Sequence, residues 1–170
     1  IDEDDVGDIE NGLGIVPHAI GLSLLVGLIG VTHAHGSDDD QQALTAIIDA
    51  IERGWETGDG APFRAHYLDF EGARYIESGG QNEGLEDLIT HHVEPELDAL
   101  TDVELDLTNI ETHVEGDVAW AIADVEFKAT VKRDDRAIHS RGHETFLFRR
   151  IGSDWKVIHT HSSTRPVRKE

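Results

Sequence analysis

His159 and His161 stand two residues apart in a stretch that alternates as a β-strand does, so both side chains leave one face with Trp155, Val157 and Ser163. Trp155 and Val157 on that face predict that it is the covered one. His92 falls in the middle of an apolar helical stripe, and Glu77 ends a short strand just before a turn. With His143, these groups could meet the two strand histidines in one pocket. Three imidazoles (His92, His159, His161) and a carboxylate are a ligand set for zinc or copper. They are equally an acid/base cluster, because imidazole titrates near neutral pH. The plainer alternative is that they are core histidines hydrogen-bonded to neighbouring elements. The chain has 11 His in 170 residues, and placement separates these readings better than number does. Glu77 and Glu83 are further carboxylate candidates, each also suited to receiving the backbone N–H groups of a turn. Trp120 and Trp155 are expected to be packing anchors.

Helices must carry the first of these groups. Leu44, Ile47, Ile48, Ile51 and Trp55 follow helical spacing, Ser37 and Asp38 to Asp40 suit its start, and Gly58 suits its end. Pro62 is expected to open a short second helix through Leu68. Leu85, Leu88, Ile89, His92 and Val93 predict a third helix, closed near Pro95. Between them Ala73 to Glu77 is predicted as a strand and Ser78-Gly79-Gly80 as a turn. After Leu100 the periodicity becomes two, through Val103, Leu105 and Leu107 and then Ala119, Ala121, Ala123, Val125 and Phe127. The turn triplets Glu115-Gly116-Asp117, Arg133-Asp134-Asp135 and Gly152-Ser153-Asp154 divide this half into four strands of an antiparallel meander. Helices first and sheet afterwards is an α+β order.

Composition bounds what the domain meets. The formal charge of -21 comes from 35 acidic against 14 basic residues, which repels phosphate backbones and sets nucleic acid aside as a partner. No Cys is present, so no disulfide, Cys metal site or lipidated cysteine is expected. From Asn11 to Ser37 there is no charged side chain, and Leu13 to Val31 is a nearly continuous apolar stretch. About 20 such residues span a bilayer. Three readings stay open: a retained helix in a membrane or against a membrane-protein complex, a secretion signal cut near Ala34, and a buried helix of a soluble protein. Ala19, Ser23 and Gly27 at four-residue spacing suit helix pairing, whereas the acidic start Asp2 to Glu10 is wrong for a secretion signal. Cleavage after Ala34 would leave His35 N-terminal, where its amine and ring could bind copper. The expected organisation is an acidic start and apolar segment over 1–36, then one domain over 37–170, exported or membrane-associated.

Arg141-Gly142-His143-Glu144-Thr145-Phe146-Leu147-Phe148-Arg149-Arg150, followed by Trp155-Lys156-Val157-Ile158-His159-Thr160-His161-Ser162-Ser163, resembles the last two strands of SnoaL-like proteins of the nuclear transport factor 2-like superfamily. The association domain of calcium/calmodulin-dependent kinase is similar there, although it has Arg after the Glu-Thr pair where this chain has Phe146. Ile76-Glu77-Ser78-Gly79-Gly80 and His91-His92 resemble the strand, turn and third helix of bacterial members. The resemblance implies a strongly curved sheet wrapped around three helices, a cone with a ligand pocket, and dimers through the open sheet face. Function does not follow from that fold, which resembles a scaffold shared by isomerases, dehydratases, transport factors and assembly hubs. Steroid isomerase members use a Tyr oxyanion donor; only Tyr67 and Tyr75 are available here, and neither aligns with that role. The leading expectation is a small, partly polar pocket that binds a small molecule. A membrane-complex subunit and an enzyme using His159, His161 and His92 are the alternatives.

Overall fold

The computed structural model describes residues 37–168. The first apolar series forms helix α1 (Asp38–Thr57), which buries Leu44, Ile47, Ile48 and Ile51. Ser37 Oγ accepts the Asp40 N–H at 3.2 Å, and three aspartates in the first turn face the positive end of the helix dipole. Gly58 ends it in the left-handed region, φ 62°, with its N–H bonded to the Gly54 and Trp55 carbonyls. Helix α2 (Ala61–His66) follows, with Pro62 in its first turn.

The third helix does not close at Pro95. It runs in three pieces, together named α3: Leu85–Leu88, a wide π turn over Ile89–Val93, and Glu94–Ala99. The Glu94 N–H reaches back five residues to the Ile89 carbonyl. Pro95 therefore starts a fresh segment at a position where its missing N–H is tolerated, and the helix continues. The inward phase expected for this helix holds at Leu85, Leu88, Ile89 and Val93, all buried.

Among the described residues six strands form one sheet: β1 (Arg74–Glu77), β2 (Gly80–Glu83), β3 (Leu100–Glu115), β4 (Val118–Val131), β5 (Arg136–Ile151) and β6 (Asp154–Pro166). Their order is β2-β1-β6-β5-β4-β3, antiparallel throughout except for the parallel pair β1 and β6. β2 was not anticipated, because Gly-Gln-Asn-Glu carries no apolar alternation; a tight turn at Ser78 (φ 43°) and Gly79 (φ 99°) holds it beside β1. Ala119, Ala121 and Ala123 line the inner face of β4, where their small side chains leave space for the helices. The exposed edge of β3 is tied to α1 by side chains: Glu56 and Glu52 accept the Leu105 and Leu107 N–H groups at 3.1 and 3.0 Å.

β-Bulges decide which side chains enter the cone. On β6, Val157 pairs with Phe148 and His159 with Leu147, so Ile158 is the extra residue. Trp155 and Val157 point inward before this bulge; after it the inward positions are Thr160, Ser162 and Thr164. One inserted residue has reversed the phase of the strand. At Gly142 the sheet leaves no room for a side chain, since a Cβ there would overlap the Ser163 carbonyl oxygen and lie 2.7 Å from Thr164 Cα.

Candidate functional site

A cavity of ≈ 90 Å³ lies between the concave sheet and the helices. One water needs about 10–15 Å³ by a comparable measure, so the space suits several waters or one compact organic molecule. The aromatic residues Trp55, Tyr67, Tyr75 and Phe127 line it, and Thr160, Ser162 and Thr164 line the β6 side. Three acidic residues, Glu77, Glu96 and Glu144, also line it, with Asn82, Ser140 and aliphatic side chains making up the rest. Among the described residues no Lys or Arg side chain takes part.

Strand register places two of the carboxyls in one row. Glu77 on β1 pairs with Ser162 on β6, and Ser162 pairs with Glu144 on β5, so the two acids flank a serine across three adjacent strands. Strands lie about 4.8 Å apart, close enough for the two long side chains to sense each other. The next row is Tyr75, Thr160 and Phe146. Glu96 reaches the same cavity from the last segment of α3.

Burial pushes the Glu144 carboxyl up to about 8, with repulsion from Glu77 adding to it. Burial, and again Glu77, pushes Glu96 up to about 7. Around neutral pH these two groups therefore exchange protons with solvent or with whatever the cavity holds. Tyr67, held well above the ordinary phenol range by burial, hydrogen-bonds with Thr160. Tyr75 is 2% exposed, its pKa raised to about 12 by burial, and its hydroxyl is buried without a hydrogen-bond partner. Leaving such a group unpaired costs about 1–3 kcal/mol.

Of the residues singled out from the sequence, Glu77 alone lines the cavity. His92 stands behind it, its Nε2 3.1 Å from Glu77 Oε2 and its Nδ1 3.1 Å from Asn82 Nδ2. The Asn82 amide donates to Nδ1, which leaves Nε2–H to donate to the Glu77 carboxylate. The ring meets Trp55 edge to face at 4.9 Å and remains 31% exposed, so His92 orients Glu77 from the rim.

The expectation that His159 and His161 enter the pocket is corrected by the β6 bulge, which turns both to the outer face of the sheet. His159 donates from Nδ1 to the Arg74 carbonyl at 2.7 Å, and His161 is exposed. His143 is also on the outer face, 74% exposed and paired with Asp124 at 3.0 Å. Trp155 is buried away from the cavity: its Nε1–H donates to Asp40 at 2.9 Å, and the Arg150 guanidinium lies 4.1 Å from its ring centroid. It is a packing anchor, as expected, but not a pocket residue. Glu83 is exposed on β2. His92, His159 and His161 are thus not gathered, and among the described residues no group of three or more His, Cys, Asp or Glu side chains is arranged to hold a metal ion. The copper reading at His35 falls outside the described residues.

Glu144, Glu96, Tyr67 and Tyr75 were missed as site residues. Glu144 was legible: it lies two and four residues before Phe146 and Phe148, in the same inward phase. Glu96 was hidden by the expectation that the helix ends at Pro95.

Residues 41–167 match the family model described as a SnoaL-like domain. No curated protein matches the chain. Among solved structures, a nuclear transport factor 2-like superfamily protein from Salmonella enterica superposes with a TM-score of 0.70 at 19% identity, over 79% of this chain and 96% of that one. A putative aromatic ring hydroxylase from Novosphingobium aromaticivorans gives 0.67 at 21% identity, over 78% and 96%. A putative dehydratase of the same superfamily from Streptomyces avermitilis gives 0.65 at 19% identity, over 78% and 100%. At these identities the structural likeness speaks for the fold alone. With the family model covering residues 41–167, the chain belongs to the SnoaL-like domain family.

Proposed function

We propose that the cone cavity is a binding site for a compact organic molecule. The observation that carries this reading is the Tyr75 hydroxyl, buried and unpaired on the wall of a cavity that also holds Glu144. A bound molecule with a polar group at that position would pair with the hydroxyl while its apolar part packs on the aromatic lining. The test is a fragment screen of the full chain by ligand-observed nuclear magnetic resonance. Hits should compete with one another and weaken at least tenfold in Tyr75→Phe or Glu144→Gln. An absence of hits, or hits indifferent to both substitutions, would overturn the proposal.

Acid/base catalysis is the second reading, favoured by the Glu144 carboxyl. With its pKa pushed up to about 8, it is a proton donor at neutral pH that can also act as a base. That a structural relative is described as a putative dehydratase is compatible with this chemistry. The groups that would carry it are Glu144 and Glu96, in place of the outward-facing His159 and His161.

The apolar run Leu13 to Val31 supports a further part of the reading, that the domain is exported or held at a membrane, alone or in a complex. That run lies outside the described residues. Among the described residues no helix is long and apolar enough to cross a membrane. If the full chain is released from membranes by salt or alkali without detergent, the tether is refuted.

A further inference from the structure

We infer that the molecule this cavity takes is a small organic cation, an alkylammonium ion or protonated amine. The inference rests on the reading of the cavity as a binding site and adds the chemical class of its occupant.

Charge is the first ground. Glu77, Glu96 and Glu144 line one small space, and among the described residues no Lys or Arg side chain joins them. His92 approaches this group only from behind Glu77, and its ring is already engaged there by Asn82 and Glu77. Any anion entering would meet three acids. A cation would meet compensating charge in a site partly removed from water, where Coulomb attraction is stronger than at the surface.

The walls are the second ground. Aromatic faces attract cations through the ring quadrupole, and cages of such rings are a recurrent solution for ammonium recognition. The Tyr67 and Tyr75 rings meet at 69° with centroids 5.0 Å apart, forming a corner of the cavity. Trp55 and Phe127 supply further aromatic lining.

The third ground is independent of the acids. Tyr75 is 2% exposed, lines the cavity, and has no partner for its hydroxyl. An ammonium N–H can donate to that oxygen. A neutral carbonyl ligand could also use the Tyr75 hydroxyl, but it would leave the repulsion among the acids in place. An inorganic cation is disfavoured, because among the described residues no three acids are arranged to share one ion.

Proton linkage separates the two organic classes. Glu144 and Glu96 titrate at about 8 and about 7. A bound cation favours their ionised forms, so protons are released and affinity rises as pH rises. A carbonyl ligand favours the protonated Glu144, and its affinity falls as pH rises through 8.

The test uses three shape-matched probes on the full chain at about physiological salt: cyclohexylammonium, cyclohexanone and cyclohexanecarboxylate. Calorimetric titration at pH 6.5 and pH 8.5 reads affinity and proton release; the amine is charged at both values. The expected result is that cyclohexylammonium binds at least tenfold tighter than cyclohexanone, tightens at the higher pH with proton release, and loses at least tenfold in Glu144→Gln. Glu96→Gln serves as the second variant should Glu144→Gln fail to fold. Tighter binding of cyclohexanone, or ammonium binding that is indifferent to pH and to both variants, would overturn the cation and leave the binding site standing. If none of the probes binds, the cation fails and the fragment screen decides whether the binding-site reading fails with it.

Discussion

Glu144→Gln should make the protein more stable, and increasingly so as pH rises. Glu144 is fixed on β5 opposite Ala123 and Ser162, in a cavity with no basic side chain to receive its charge. Its carboxyl titrates near 8 in the folded chain, against an ordinary 4.5 when unfolded. The folded-state value is raised, so its stabilising balance is fully present below the unfolded value and is lost as pH climbs to the folded one. Between those values the folded protein holds a proton that the unfolded chain has released, and stability falls by about 1.4 kcal/mol per pH unit. Over the whole interval the loss is on the order of 4 to 5 kcal/mol. Gln has nearly the same shape and no charge, so the variant escapes this loss. Urea denaturation of the full chain and of Glu144→Gln, measured from pH 4.5 to 9.5, reads the difference directly. The two should be within about 1 kcal/mol of each other at pH 4.5 and diverge in favour of the variant above pH 6. A difference that stays flat across this range would refute the argument, because it would mean that Glu144 ionises in the fold as freely as in water.

Tyr75→Phe removes a buried hydroxyl that has no partner, so the ligand-free protein should hold its stability or gain about 1 kcal/mol; a loss larger than that in thermal unfolding would show that the hydroxyl is satisfied. Gly142→Ala would drive a methyl group into the Ser163 and Thr164 backbone, and should cost about 3 kcal/mol or more or prevent folding. Circular dichroism and urea midpoints check it. Asp40→Asn tests the far end of the cone, where Asp40 Oδ1 receives Trp155 Nε1–H at 2.9 Å and Arg150 at 2.8 Å. The Trp155 hydrogen bond holds the Asp40 carboxyl below its ordinary 3.8. Its contribution is therefore present above that value and is lost as pH falls through the lower folded one. At pH 7 the substitution should cost about 1 kcal/mol, discounted for partial solvent screening, and the gap from the parent protein should narrow as pH falls below the ordinary 3.8.

The helical half was legible because its signals are local. Apolar side chains at helical spacing and a glycine beyond the last turn determine α1 without reference to the rest of the chain. The alternation through Ala119, Ala121, Ala123 and Val125 likewise marks the inner face of β4, and the α+β class follows from the order of elements, while the cone was implied by the family resemblance. Pro95 misled because a π turn before it, which no local pattern announces, lets the helix restart. β2 escaped because its four polar residues are held by a turn and a neighbour rather than by burial. The histidines show the sharpest division. That His159 and His161 share a face is a property of strand geometry, and they do share one. Which face it is depended on the single extra residue at Ile158, and a bulge is set by how two curved strands pair across the sheet. The same long-range pairing put Glu77, Ser162 and Glu144 in one row from segments 67 positions apart along the chain between Glu77 and Glu144. The sequence by itself determined the order of the elements whose signals are local, β2 and the end of α3 excepted. Only the tertiary structure decided the contents of the pocket, because bulges and cross-strand register depend on partners distant in the chain.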